Sequence, residues 1–213
     1  MSKRERIEPN MAKFAVFIFC WGRPEFCNTQ KALRASGYTG KIYLLIDDLD
    51  KTKDEYIARY GNNMCYVFNK RWVSKVSDPM NNFGKLDSTL YVENSMFGIA
   101  KDLGLDYFCA MCDDYQSFCH KREECEKTSK RLDDVFYHFV EYLINSPIKC
   151  VAMSQGGDHF GGFDPTRRMC KRKVMNSFFC VTDRPFKFYG SMNDDANMYI
   201  QNGIRGDVFL TFY

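Results

Sequence analysis

Four apolar runs in the first half of the chain each stop abruptly on charged or polar residues. Ala15 to Cys20 stops at Trp21-Gly22-Arg23-Pro24-Glu25, and Ile42 to Ile46 stops at Asp47, Asp48 and Asp50. Met64 to Phe68 stops at Asn69-Lys70-Arg71-Trp72, and Leu105 to Cys112 stops at Asp113-Asp114-Tyr115. Near-continuous apolar runs of this length predict strands covered on both faces. Between them the pattern predicts a helix from Pro24 to about Ala35, closed by Gly37 and Gly40, with Pro24 in a first turn where its missing N–H is harmless. A second helix is expected near Asp54 to Tyr60 and a long loop over 73–87. A third helix, capped by Asp87 or Ser88, keeps Val92, Met96, Ile99, Ala100 and Leu103 on one face.

In the second half, Lys121 to Lys130 reads as a charged connection. Leu132, Val135, Phe136, Phe139, Val140, Leu143 and Ile144 then recur at helical spacing. Ile148 to Met153 is a fifth strand, followed by a glycine-dense loop over 156–162 that contains His159. Met175 to Val181 and Asp207 to Phe212 are further strands, and Ser191 to Asp195 precede a helix from Ala196 to about Gln201. Alternating strands and helices with short turns predict an α/β fold, a Rossmann-type and mostly parallel sheet with helices on both faces and a smaller, mixed C-terminal part. The expected organisation is a loose tail over 1–12 and one domain over 13–213.

Length and composition narrow the class. A chain of 213 residues can bury roughly 70% of its unfolded surface. A hydrophobic content of 45% and an aromatic content of 16% exclude a disordered chain. No apolar run approaches the ~20 residues of a bilayer-spanning helix, and the charged amino terminus lacks a signal core, so a cytoplasmic protein is expected. Of the ten cysteines, Cys20, Cys65, Cys109, Cys150 and Cys180 fall in predicted strands, where free thiols act as small hydrophobes. Cys109 and Cys112 form a CxxC, with Cys119, His120 and Cys125 beyond it. Residues three apart on a strand face opposite ways, and no second CxxC follows, so zinc is disfavoured.

The net charge of +3 is unevenly spread. Arg167, Arg168, Lys171, Arg172 and Lys173 put five positive charges into seven residues. Such a run is either a solvated face or a contact for a phosphate backbone.

The strand ends supply complementary chemistry. Open α/β sheets bind ligands outside the carboxyl ends of their strands. Gly22 and Arg23 would allow close backbone approach and bring positive charge, and Asp47 and Asp48 could accept hydrogen bonds from a base or ribose. Asp113 and Asp114 suit Mg²⁺ or Mn²⁺, which take few protein carboxylates and complete their shell with substrate oxygens. No GxxxxGK[ST] or GxGxxG is present, which disfavours P-loop and dinucleotide-binding readings.

Several stretches carry a family likeness: Phe17 to Pro24, Gly37 to Tyr43, Asp113-Asp114-Tyr115, Lys173 to Phe179 and Gly190 to Asp195. Together they resemble the TET-associated glycosyltransferases, mostly phage-encoded proteins of the GT-A type linked to glycosylation of 5-hydroxymethylated pyrimidines in DNA. The resemblance implies a nucleotide-sugar donor, UDP-linked by expectation, and transfer of a hexosyl or pentosyl group to DNA, in a host cytoplasm if phage-encoded. It splits the domain into a donor half near 13–120 and an acceptor half near 121–213. Asp113 and Asp114 become the Mn²⁺ or Mg²⁺ and diphosphate site, and Asp194 or Asp195 the acceptor-side carboxylate. Trp21, Gly22, Arg23, Asp47, Asp48, Lys70, Arg71 and Asp113 become donor contacts, and the basic run a nucleic-acid contact. The chain departs from the family in lacking a third acid beside Asp113 and Asp114, and in stopping directly after its last strand. Rival readings are an inactive nucleic-acid-binding module and a nucleotidyltransferase. The latter generally needs a longer glycine-rich loop than Trp21 to Glu25 provides.

Overall fold

The computed structural model describes residues 6–80, 85–122, 125–155, 174–175 and 177–212. The strands are β1 (Phe14–Cys20), β2 (Lys41–Asp47), β3 (Cys65–Phe68), β4 (Tyr107–Cys112), β5 (Cys119–Arg122), β6 (Cys125–Thr128), β7 (Cys150–Met153), β8 (Phe178–Val181) and β9 (Phe209–Phe212). The helices are α1 (Asn28–Ala35), α2 (Lys53–Tyr60), α3 (Lys70–Val76), α4 (Leu90–Asp102), α5 (Leu132–Ile144) and α6 (Asp194–Gly203). Seven strands form one sheet in the order β3-β2-β1-β4-β8-β7-β9. β3, β2, β1 and β4 run parallel, so all four finish at the same edge of the sheet. β8 is antiparallel to both of its neighbours, and β9 pairs parallel with β7.

All seven residues of β1 are buried, and they divide by the period of two that a pleated strand imposes. Ala15, Phe17 and Phe19 enter a core with Val73 of α3, Met96, Phe97 and Ala100 of α4, and Met198 of α6. Phe14, Val16, Ile18 and Cys20 enter the opposite core with Leu33 of α1, Tyr56 of α2 and Phe136 of α5. The predicted two-sided cover is therefore present. Aromatic rings dominate both layers: Phe17 and Phe108 stack at 5.1 Å, and Phe136 and Phe139 each meet Phe179 edge-on at 5.0 Å.

Some local expectations are corrected. The first helix begins at Asn28, because a turn closed by the Phe26 N–H on the Arg23 carbonyl keeps Pro24 outside it. The expected loop over 73–87 starts later, since residues 70–76 form α3. The Asn69 side chain caps that helix by accepting from the Trp72 N–H, and Val73 anchors it in the core. The charged connection after β4 contains the antiparallel hairpin β5–β6, with Cys119 opposite Thr128 and His120 opposite Lys127. Residues 6–12 of the expected tail are held against α5. The Ile7 N–H and carbonyl both bond the Asn145 side chain, and Arg6 pairs with Glu141.

Two joints matter for the site. The first turn of α1 is sewn to the end of β4 through Thr29. Its N–H donates to the Asp113 carbonyl, its hydroxyl donates to the Cys112 carbonyl at 2.6 Å, and that hydroxyl accepts the Tyr115 N–H. At the far end of the molecule, Arg184 plugs the C-terminus of α5. Its guanidinium donates to the carbonyls of Leu143 and Ile144 in the last turn and of Ser146 and Ile148 in the segment that follows. α1 ends in a left-handed Gly37 with φ +87°, where the Tyr38 N–H reaches the Leu33 carbonyl and the Gly37 N–H reaches that of Arg34. A Cβ there would sit 2.3 Å from the Lys130 carbonyl oxygen, so glycine is required.

Candidate active site

The ends of β1, β2, β3 and β4 open into one cleft of about 300 Å³. β1 and the turn after it contribute Phe19, Cys20, Trp21 and Arg23. Asp47 comes from β2, Lys70 from the start of α3, and Cys112, Asp113 and Asp114 from the end of β4. The stretch before α4 closes the rim with Asp87, Ser88 and Thr89. A cleft of this volume suits a ligand of nucleotide size.

Asp113 is the buried member of its pair, at 2% exposure, while Asp114 is exposed at the rim. One oxygen of Asp113 accepts a short hydrogen bond from the Arg23 guanidinium. The other, Oδ2, is buried and has no partner among the described residues. Burial pushes the Asp113 carboxyl above the usual range even though Arg23 pulls it down. An acid with one oxygen committed and one orphaned has capacity for a cation. Asp113 and Asp114 therefore fit a hard divalent ion that takes two carboxylates and fills its shell from substrate. Among the described residues no group of three or more His, Cys, Asp or Glu converges as a metal centre.

Asp47 and Lys70 form a buried ion pair, Nζ to Oδ2 at 3.0 Å, each about 95% buried at the side chain. The second Asp47 oxygen accepts the Leu49 N–H, which leaves this carboxylate filled by protein donors. The Lys70 ammonium also lies 4.2 Å from the centre of the Trp21 ring, whose outer surface is exposed. Asp48, half-buried, accepts the Lys70 N–H. Arg71 is exposed and does not line the cleft.

Sequence reasoning gave no role to Asp50. It is buried and accepts the Gly22 N–H on one oxygen, and the Thr52 N–H and hydroxyl on the other. It thereby fixes the left-handed Gly22 (φ +64°), and the Tyr56 hydroxyl accepts the next N–H, that of Arg23. An Asp followed two residues later by Thr is the signature of such a turn and was available in the sequence.

Asp194 and Asp195, the expected acceptor-side carboxylates, open α6. Asp194 accepts from the hydroxyl of Thr89, which lines the cleft, while neither aspartate of α6 is itself among the residues lining it. Cys112 feels both sets. Burial, then Asp114, Glu93, Asp113 and Asp194, push its thiol up to about 12. Arg167, Arg168, Lys171, Arg172, Lys173 and His159 lie outside the described residues.

Cations and acids thus gather where four parallel strands finish, the place at which open α/β sheets bind ligands. A profile of the TET-Associated Glycosyltransferase family matches residues 14–213. The chain belongs to that family of glycosyltransferases. Among solved structures, the crystal structure of S. aureus TarS 1-349 is similar over 93% of this chain at 11% identity, with a TM-score of 0.47. The chain spans 57% of that structure's length. No curated protein matches the sequence. Among the described residues no helix is long and apolar enough to cross a membrane.

Proposed function

We propose that this protein moves a glycosyl group from a nucleotide-sugar, UDP-linked in the first instance, to a hydroxyl group of 5-hydroxymethylated pyrimidine in DNA. The observation that carries this reading is the meeting of Arg23, Lys70, Asp113 and Asp114 in one cleft at the strand ends of a family member. The Trp21 ring, backed by the Lys70 ammonium, offers a flat face for the base. Asp48, more open than Asp47, is the better candidate for a ribose hydroxyl. Arg23 stands where it can turn from Asp113 to the donor's diphosphate, stabilising negative charge as the leaving group departs.

Asp113 and Asp114 would hold Mn²⁺ or Mg²⁺, which when bound supplies Lewis-acid neutralisation of that charge. In the transfer itself the acceptor oxygen bonds to the anomeric carbon and the bond from that carbon to the diphosphate oxygen breaks. The electron pair leaves with the diphosphate, and the acceptor proton passes to a carboxylate of the Asp194–Asp195 pair.

The test is direct. The protein is incubated with Mn²⁺, a panel of nucleotide-sugars and hydroxymethylated DNA, and the DNA is digested to nucleosides for mass spectrometry. A nucleoside heavier by one hexosyl or pentosyl unit is expected. DNA binding with no mass gain from any donor would favour the inactive binding module instead. If the five basic residues at 167–173 touch phosphates, replacing each should flatten the log–log salt dependence of DNA affinity by about one unit. A slope that ignores all five replacements removes that run from the interface.

A further inference from the structure

Residues 22–24 carry Arg23 to the cleft and belong to no helix or strand. Backbone outside regular structure has no ladder to satisfy its polar groups and must find other partners. Here one later stretch, from Asp50 into α2, takes them up in turn. The Gly22 N–H donates to Asp50 at 2.9 Å, and the Arg23 N–H donates to the Tyr56 hydroxyl at 3.0 Å. The Tyr60 hydroxyl donates to the Pro24 carbonyl at 2.8 Å. The Arg23 carbonyl accepts the Phe26 N–H, and proline has no N–H to place.

Tyr56 and Tyr60 are four residues apart, so they rise from one face of α2, and their rings stack at 6.3 Å. Tyr56 is fully buried, in the same core as Ile18, Cys20 and Leu33. The backbone of the turn is therefore fastened to the interior of the protein. The Arg23 side chain is not: it is 55% exposed, and its guanidinium bonds one oxygen of Asp113. An arginine side chain has about 2 kcal/mol of rotamer freedom. A cation stabilises charge on a leaving group best when it is already placed where that charge develops. Fixing the Cα limits the guanidinium to a short arc over the cleft.

We propose that Tyr56 and Tyr60 are positioning residues: by holding the backbone of Arg23 and Pro24, they fix the pivot from which the Arg23 guanidinium passes from Asp113 to the diphosphate of the donor. The diphosphate rests on the transfer reading above. The clamp does not.

The clamp is tested on the full chain without donor or acceptor. Amide exchange followed by NMR should show the Arg23 N–H at least about tenfold faster in Tyr56→Phe than in wild type, with the β1 amides unchanged. Tyr60→Phe, which frees a carbonyl and leaves that N–H paired, should quicken it less. An Arg23 N–H that exchanges at the wild-type rate in both variants overturns the clamp, whether or not the protein transfers sugar. In the transfer assay both replacements should lower kcat/KM, Tyr56→Phe by about tenfold. In an Arg23→Met background each should lower it by less than about twofold. Tyrosines that only supported the fold would cause the same loss in either background, and that result overturns the positioning role. A wild type with the exchange effect and no transfer from any donor sinks the transfer reading, and the diphosphate end of the pivot with it, while the clamp stands.

Discussion

Asp113→Asn is expected to lower transfer by about 100-fold or more, equivalent to about 2.7 kcal/mol of transition-state stabilisation, while leaving the fold intact. The two halves of this expectation have separate causes. Asparagine keeps the shape and an oxygen for Arg23, whose side chain is more than half exposed and can be rehydrated once the ion pair is gone. Burial already holds the Asp113 carboxyl above its usual range, so exchanging a costly buried charge for a neutral amide removes a penalty. Stability should be unchanged or slightly improved. Function should not survive as well, because the orphaned Oδ2 loses the charge that would attract a cation. Isothermal titration of Mn²⁺ together with a nucleotide-sugar, run beside a turnover assay, separates these effects. Normal metal-dependent donor binding by Asp113→Asn would place the cation elsewhere.

Arg184→Met carries the largest expected stability loss outside the two cores, about 3 kcal/mol. Two carbonyls in the last turn of α5 and two in the segment after it accept from one guanidinium. Bonds to a charged donor contribute about 1.5–3 kcal/mol each when deleted singly, and bonds sharing one donor do not add in full. Methionine keeps the apolar stem and gives no donor. For a chain of this length, about 3 kcal/mol corresponds to a Tm lower by about 6–12 °C. Lysine should restore only part of it, since a single ammonium cannot reproduce the planar fork. A melt within about 2 °C of wild type would show that water replaces the guanidinium without cost.

The strands and long helices were legible because each is decided by its own period. β1 and α5 are buried by the very residues whose spacing announced them. The misread pieces are those decided by a partner distant in sequence or by one capping atom. Pro24 satisfies every local rule for a helix start, yet residues 22–27 bend to bring Arg23 onto Asp113, ninety positions away. α3 depends on the Asn69 side chain, and the hairpin β5–β6 on strand pairing that a run of charges conceals.

The site follows the same division. The clustering of acids at strand ends was visible, but their protonation and partners were not. Asp47 reads as an open acceptor and is in fact filled by Lys70 and Leu49.

The Thr29 stitch bears on how the cleft can move. Because one threonine side chain and its amide tie Cys112, Asp113 and Tyr115 to the start of α1, and Arg23 on the approach to that helix grips the same aspartate, the two walls of the cleft at this corner are a single bracket. At the opposite rim the Ser88 hydroxyl donates to the Ser191 carbonyl and the Thr89 hydroxyl to Asp194, so two chain segments meet there through single hydroxyls. Ligand entry is then expected to part the rim at Thr89 rather than the corner bracketed by Thr29.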